Sequence, residues 1–209
     1  MLQAAHLLLQ NSLQLLMPCV LCGIDTQRKH SLCEDCWNSL PWLKTPVLRQ
    51  EMQILAACHY GYPIDRIIQQ FKYEQHLHYQ AALTGLLHNL KYPKVHAVVP
   101  MPISLEKLTE RGYNQSLLIA KGLANHLKVP VWQPVMRLQQ HSQKGLSRLE
   151  RLSDIQQQFV IDGKPKVHYR KVLIVDDVVT TGSSIHALKQ CLAQLGCQQI
   201  HAVCLAAAE

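Results

Sequence analysis

The feature that most constrains this chain is the run from Val172 to Ser184, in which four apolar residues lead through two acids and two valines into Thr-Thr-Gly-Ser-Ser. The apolar stretch Val172 to Val175 predicts a buried strand. Residues from Ser184 to Leu195 have the spacing of an amphipathic helix, and Gly196 follows where a helix commonly ends. A strand that leads directly into a helix is typical of α/β folds, whose ligands bind beyond the carboxyl ends of the strands.

The residues between this strand and helix have the chemistry to hold a phosphorylated sugar. Asp176 and Asp177 offer carboxylates that can accept hydrogen bonds from two neighbouring sugar hydroxyls. The start of the following helix favours an anion, for which hydroxyls and backbone N–H groups are available at Thr180, Thr181, Gly182, Ser183 and Ser184. The run therefore predicts a ribose 5-phosphate site. The plainer alternative is an acidic strand end followed by a serine that caps the helix.

Near the N-terminus, four cysteines have the spacing of a metal site. They form two Cys-x-x-Cys pairs separated by ten residues, at Cys19, Cys22, Cys33 and Cys36. Four thiolates satisfy tetrahedral Zn²⁺ and leave no position for an activated water, so we expect a structural zinc ion. Two redox-active pairs or two disulfides are the alternatives, and the duplication of the pair at this spacing favours zinc.

The pattern along the chain changes near residue 46, which predicts a small module over residues 1–46 and a larger domain over residues 47–209. In the module, an apolar stripe from Leu2 to Leu16 predicts an amphipathic helix before the cysteines. In the domain, strands are expected at Ile54–Tyr60, Val95–Val99 and Ile200–Ala206, helices at Ile64–Leu90 and Ser116–Leu127, and a surface helix or loop at Leu138–Gln158. Alternating strands and helices predict an α/β fold with a mainly parallel sheet.

Positive charge is concentrated in the middle of the chain. The formal net charge is +7, and Lys91 to Lys171 contains fourteen Lys and Arg against five Asp and Glu. Such a segment is typical of proteins that bind a polyanion, and equally of a solvated basic surface. Neither a signal-peptide pattern nor an apolar run near the roughly 18 residues of a membrane span is evident, so we expect a cytoplasmic protein with reduced or metal-bound cysteines.

The run from Val172 to Ser184 resembles the ribose-phosphate signature of phosphoribosyltransferases. Further motifs are similar to those of ComF-type competence proteins (the ComF/GntX family): Val99-Pro-Met-Pro102, Arg111-Gly-Tyr-Asn-Gln115, Phe71-Lys72-Tyr73, the four cysteines, and the spacing of Gln143, Leu146, Arg151 and Phe159. Asp154 departs from the pattern, since the group usually has Asn there. The resemblance covers about Pro18 to Ala206. It implies a type I phosphoribosyltransferase-like fold plus a small N-terminal zinc module.

This resemblance implies two functions that can coexist. The first is a role in natural transformation, acting on incoming single-stranded DNA at the cytoplasmic side. There the protein would be peripheral at the inner membrane, alongside other competence proteins, without spanning the bilayer. The second is catalysis by a phosphoribosyltransferase of nucleotide metabolism that uses phosphoribosyl pyrophosphate with Mg²⁺. Asp176 and Asp177 would then be catalytic, and the acceptor is unassigned.

Two further groups of residues are expected to contact ligands. Pyrophosphate or another anion is expected at Lys72, Pro100, Met101, Arg111 and Asn114. The guanidinium of Arg111 suits phosphate oxygens, and a surface ion pair with Glu106 or Glu110 is its alternative. A nucleic-acid backbone is expected to contact the basic segment that contains Arg137, Lys144, Arg148 and Arg151, for which a solvated helix face is the alternative.

Overall fold

Alternating apolar segments produce seven strands and six α-helices within residues 17–138, 158–163 and 167–208, the part of the chain that the computed structural model describes. The strands are β1 (Val47–Arg49), β2 (Met52–His59), β3 (Ala97–Pro100), β4 (Val135–Arg137), β5 (Phe159–Ile161), β6 (Lys171–Val179) and β7 (Gln199–Ala207). The helices are α1 (Glu34–Asn38), α2 (Ile64–Tyr73), α3 (Gln80–His88), α4 (Leu105–Arg111), α5 (Gln115–Leu127) and α6 (Ser183–Gln194), with a 3-10 turn at Leu77–Tyr79.

Five of the strands form one sheet in the order β1-β2-β7-β6-β3. All its neighbours run parallel except β1, which pairs antiparallel with β2 at one edge. The residues Val172 to Val175 of the central strand β6 are fully buried. Their continuous apolar run is typical of a parallel strand covered on both faces. The predicted α/β fold with a mainly parallel sheet is therefore confirmed. Strands β4 and β5 form a separate antiparallel ribbon.

The expected strands and helices of the domain are present with small shifts at their ends, and the expected helical stretch Ile64–Leu90 is two helices, α2 and α3. One difference matters for function. The strand expected to stop at Val175 continues to Val179, because its pairing with β7 continues to Ala207. Its pairing with β3 ends at Pro100 opposite Val175. Asp176 and Asp177 therefore lie inside a strand that has lost one neighbour, and the crevice opens on that side.

The start of α6 also differs from the plainer expectation. Its N-cap is Gly182, in the left-handed region at φ 77°, and no side chain caps the helix there. The alternative of a serine N-cap is therefore wrong. At the other end of the helix, Gly196 has φ 85°, which confirms its expected place after the last turn.

The four-cysteine segment packs directly on the helices of the larger domain. Leu32, Trp37 and Leu40 are buried in the same apolar cluster as residues of α2 and α3. The His30 ring occupies a notch at Gly85, where an added Cβ would overlap the His30 ring. The boundary near residue 46 stays a prediction.

Other expectations fall on undescribed parts of the chain. The expected N-terminal helix Leu2–Leu16 and nearly all of the expected surface segment Leu138–Gln158 lie outside the described residues. Within the described ranges, none of the helices is both long and apolar enough to cross a bilayer.

Candidate functional site

The loop between β6 and α6 surrounds a small cavity. The five predicted phosphate-loop residues Thr180 to Ser184 line a space of about 60 Å³ together with Asp176. Thr181 Oγ1 and Ser183 Oγ lie 2.8 Å apart, and the Ser183 N–H donates to Thr181 Oγ1 at 3.4 Å. The structure thus brings together the hydroxyls and the helix N-terminus that the sequence places in succession, in an arrangement that suits a phosphate group.

Arg49 of β1 holds this loop by hydrogen bonds to backbone carbonyls. Its Nε donates to the Thr180 carbonyl at 2.7 Å, and its Nη2 donates to the Ala208 carbonyl at 2.9 Å. A Cβ added at Gly182 would lie 2.7 Å from Arg49 Cβ. The glycine therefore serves both the left-handed turn and the close approach of the arginine. Arg49 fixes the path of the loop, a role that the sequence analysis missed.

The two acidic residues are held differently, although they are neighbours. Asp177 Oδ2 forms an ion pair with Lys72 Nζ at 2.9 Å and accepts a hydrogen bond from Gln115 Nε2 at 3.2 Å. Its Oδ1 accepts from the Val178 N–H at 2.6 Å. Asp176 Oδ1 accepts from Ser116 Oγ at 3.3 Å and from the Asp177 N–H at 2.9 Å.

Among the described residues, no side chain or backbone group bonds to Asp176 Oδ2. Of the two carboxylates, Asp176 is therefore the one available to a ligand. Burial, and then repulsion from the Asp177 carboxylate, raise the pKa of Asp176 to about 7, and its hydrogen bonds and Lys72 oppose the rise only in part. A carboxyl group that ionises near neutral pH gains from any ligand that stabilises its charge.

Basic side chains converge on the other side of Asp176. Asp176 and Asp177 line a second cavity of about 200 Å³ that also includes Lys72, Lys107, Arg111 and Arg137. Partial desolvation and the charges of Arg137, Arg111 and Lys72 lower the pKa of Lys107. Four cations around one polar cavity are suited to a polyanion such as pyrophosphate.

The motifs Phe71-Lys72-Tyr73 and Arg111-Gly-Tyr-Asn-Gln115 contact each other at this cavity. In the last turn of α2, the Tyr73 ring faces the Arg111 guanidinium, 4.7 Å from the ring centroid. The Phe71 carbonyl accepts a hydrogen bond from the Tyr113 hydroxyl, and the two rings pack edge to face. Lys72, between them, points to Asp177. Arg111 is 9% exposed, and its Nε has no partner within the described residues. Burial with an unpaired donor distinguishes Arg111 from a surface ion pair with Glu106 or Glu110.

The other predicted anion contacts are divided between neighbouring spaces. Met101 and Asn114 line the basic cavity, whereas Pro100 lines an adjoining groove. Asn114 also has a structural role: its Nδ2 donates to the Met101 carbonyl at 3.1 Å, and its Oδ1 caps α5. Arg137, expected on a nucleic-acid surface, lies in the basic cavity. Lys144, Arg148 and Arg151 lie outside the described residues.

Sequence reasoning missed two further polar residues of the site, Lys107 and Ser116. Lys107 has a weak signal, because its spacing of four residues from Arg111 places both on one face of α4. Ser116 begins the predicted helix at α5 and has no distinguishing pattern. Contacts with residues some 60 positions away give it its role.

The four predicted metal ligands form a compact cluster. The Sγ atoms of Cys19, Cys22, Cys33 and Cys36 all lie within 4.8 Å of one another, and those of Cys22 and Cys33 are 3.8 Å apart. That separation matches the edge of a tetrahedron with metal–sulfur bonds of about 2.3 Å. Backbone N–H groups donate to the Sγ atoms of Cys19 and Cys33 at 3.4 Å. The donor set fits a tetrahedral metal ion.

Solved structures with some likeness include phosphoribosyltransferase-related enzymes. Glutamine phosphoribosylpyrophosphate amidotransferase from Bacillus subtilis matches with a TM-score of 0.42 and 15% identity, over 59% of this chain and 25% of that chain. This chain therefore spans about a quarter of that enzyme's length. Purine phosphoribosyltransferase from Pyrococcus horikoshii matches with a TM-score of 0.32 and 19% identity, over 74% of this chain and 77% of that chain.

Sequence comparisons give the family. The phosphoribosyl transferase domain family matches residues 114–209. Competence protein ComFC of Bacillus subtilis is 28% identical, over 85% of this chain and 72% of that protein. DNA utilization protein YhgH of Escherichia coli K12 is 27% identical, over 90% and 82%. Competence protein F of Haemophilus influenzae is 30% identical over 196 residues, 87% of this chain and 81% of that protein. The chain belongs to the ComF family, with a phosphoribosyltransferase domain and an N-terminal four-cysteine module that fits a zinc ion.

Proposed function

We propose that this protein binds phosphoribosyl pyrophosphate, as its Mg²⁺ complex, in the crevice beside β6. The carrying observation is that Asp176 lines both the phosphate-loop cavity and the basic cavity. The ligand has the same order of groups: a 5-phosphate, a ribose with two hydroxyls, and a pyrophosphate. The loop of residues 180–184 takes the phosphate, and Asp176 accepts from the ribose hydroxyls. The four cations take the pyrophosphate.

The biological role we propose is that of a competence protein, acting in the uptake of single-stranded DNA during natural transformation. Support comes from the names of the relatives in H. influenzae, B. subtilis and E. coli, which refer to competence or DNA utilization. The concentration of positive charge between Lys91 and Lys171 supports contact with a phosphate backbone. The protein would act on the cytoplasmic side, peripherally at the inner membrane with other competence proteins, with Arg137, Lys144, Arg148 and Arg151 at the strand.

A second proposal is that the pocket is catalytic and transfers phosphoribosyl to an acceptor. The favouring observation is the excess of cations at the expected position of the pyrophosphate, where they would stabilise the charge of the leaving group. Mg²⁺ bound with the ligand would neutralise part of its charge. Asp176, ionised and facing the ribose, would hold the sugar for attack at C1.

In the same proposal, the four cysteines hold Zn²⁺ with a purely structural role. Sulfur from four residues fills every position of a tetrahedral ion, so no site remains for a reacting water. The ion would fix the segment that packs on α2 and α3 through Leu32 and Trp37.

Thermal unfolding with and without Mg²⁺ and phosphoribosyl pyrophosphate tests the ligand. A ligand that binds only the folded state adds about 2.7 kcal/mol of stability at 100 times its dissociation constant. We expect the midpoint to rise in the wild type and to stay constant in the Asp176→Asn/Asp177→Asn double variant. An equal rise in both proteins would contradict the assignment of the pocket.

Fluorescence anisotropy with a labelled single-stranded oligonucleotide tests the DNA role separately. We expect Arg148→Glu/Arg151→Glu to weaken binding and to reduce its salt dependence, while the ligand-induced shift in unfolding stays normal. In the Asp176→Asn/Asp177→Asn variant, strand binding should stay normal and the ligand-induced shift in unfolding should be lost. Wild-type protein that does not bind the strand at low salt would contradict the DNA role alone.

A further inference from the structure

Next to the basic cavity lies a larger groove with mainly apolar walls. It encloses about 700 Å³ between the end of β3, helices α4 and α5, and β4. Leu105, Leu108 and Met136 form its rim and are 66%, 37% and 50% exposed. Single exposed apolar side chains are common on protein surfaces, but a cluster of them is unusual and commonly marks a binding surface. The volume is within the range of pockets for small molecules, about 300–1,000 Å³.

The groove and the basic cavity share a wall. Pro102, Ile103, Asn114 and Arg137 line both spaces. The Arg137 guanidinium is held at this boundary by a hydrogen bond to Gln158 Oε1 at 3.0 Å. Lys107 is close enough to Arg137 for their charges to repel each other. An apolar groove therefore opens directly beside a pair of cations, and its lining also includes the acidic residue Asp162.

We propose that the groove binds a nucleobase of single-stranded nucleic acid, with the adjoining phosphate at Arg137 and Lys107. This proposal rests on the DNA role proposed above. A nucleotide joins a planar, largely apolar base to an anionic phosphate. The base fits the apolar groove, and the phosphate fits the adjoining cation pair. Strand-binding proteins commonly combine a basic track with surfaces on which bases pack. Tyr113 also lines the groove and is an aromatic residue of its wall.

One consequence is competition between the two ligands. The cations proposed for the strand phosphate are among those proposed for the pyrophosphate of phosphoribosyl pyrophosphate. The groove itself is separate from the phosphate loop and from the Asp176 carboxylate. Pyrophosphate should therefore displace the strand, whereas ribose 5-phosphate, which needs only the phosphate loop and the acid pair, should not.

The test compares an oligo-dT strand with an abasic strand that has the same number of phosphates. Binding is measured by fluorescence anisotropy for the full chain, for Leu108→Glu and Met136→Glu, and for the control Ile24→Glu. Ile24 is 85% exposed on the four-cysteine segment, so the control adds the same charge outside the groove. We expect the wild type and the control to prefer oligo-dT by about tenfold, the value of one well-packed base. Both groove variants should lose that preference.

The outcomes separate the groove from the proposed functions. A preference for oligo-dT that survives in both groove variants, or equal weakening in these variants and the control, would overturn the groove. Wild type that binds neither strand would overturn the DNA role and the groove together, and a normal shift in unfolding with Mg²⁺ and phosphoribosyl pyrophosphate would leave the sugar-phosphate pocket standing. The same shift in Leu108→Glu verifies that the variant is folded.

Discussion

The four-cysteine cluster and the crevice beside β6 both concentrate charged or ionisable groups, but they satisfy them in opposite ways. In the cluster, four thiols point at one another within 4.8 Å, and a single ion would satisfy them all. In the crevice, burial and the neighbouring Asp177 carboxylate raise the pKa of Asp176. Arg111 has a buried Nε with no partner among the described residues. Functional sites characteristically retain such unsatisfied groups.

The difference explains which contacts belong to which task. A closed donor set without room for water is suited to hold structure. An open carboxylate between a phosphate loop and a cation group is suited to exchange ligands with solvent. Changes in the cluster should therefore affect metal binding and folding together. Changes in the crevice should affect ligand binding, and their effect on stability should be a loss at some residues and a gain at others.

The largest expected effect is on the cluster. Cys33→Ser should lose the metal and lower the unfolding midpoint by about 10 °C, because metal binding of this kind is coupled to folding by several kcal/mol. Metal content by elemental analysis and unfolding by circular dichroism measure both quantities. Cys197→Ser is the control, since Cys197 is buried outside the cluster. Full metal content in Cys33→Ser would break the comparison.

Next in size is the ion pair in the crevice. Lys72→Met leaves the Asp177 carboxylate nearly buried without its cation, so we expect a loss of about 2–3 kcal/mol in urea unfolding at pH 8. The expected loss is smaller than for a fully buried pair because the Lys72 side chain is 17% exposed. The exposed Lys121 in the middle of α5 provides the control variant Lys121→Met, which should change stability little. Equal effects of the two variants would show that Lys72 is an ordinary surface cation.

A smaller effect is expected at the phosphate loop. Gly182→Ala should destabilise by about 1–2 kcal/mol, because alanine is strained at φ 77°. It should also weaken phosphate-ligand binding, because its Cβ would displace Arg49. Gly196→Ala separates the two causes: it has φ 85° but no atom within 4 Å of the added Cβ. Calorimetric titration should find normal affinity in Gly196→Ala, and equal loss of affinity in both variants would remove the role of Arg49.

The effect on stability expected at Asp176 has the opposite sign. Since the pKa of Asp176 is raised in the folded protein, stability from this group is present below pH 4 and is lost as pH rises to about 7. Asp176→Asn should therefore be more stable than the wild type at pH 8 and equal to it near pH 4. Denaturant unfolding across this range measures the difference. A variant that is less stable than the wild type at pH 8 would mean that the ionised Asp176 carboxylate does not destabilise the fold.

Local sequence predicted both regions because each is encoded in a short segment. The cysteine pairs span residues 19–36 and the predicted phosphate site spans residues 172–184, so spacing alone predicts a chemistry for each. The parts that sequence did not predict depend on distant contacts. Arg49 lies in a three-residue strand without periodicity and meets Thr180, 131 residues away. The extent of β6 past Val175 depends on its pairing with β7, which no local pattern contains.

The most direct test of the central claim is calorimetric titration of the protein with phosphoribosyl pyrophosphate and Mg²⁺ between pH 6 and pH 8. The account predicts one ligand per chain and an affinity that rises with pH up to about 7, because Asp176 must be ionised to accept from the ribose hydroxyls. Asp176→Asn should bind more weakly and lack that part of the pH dependence. Absence of binding at millimolar ligand, or an affinity that is the same in wild type and Asp176→Asn at every pH, would contradict the account.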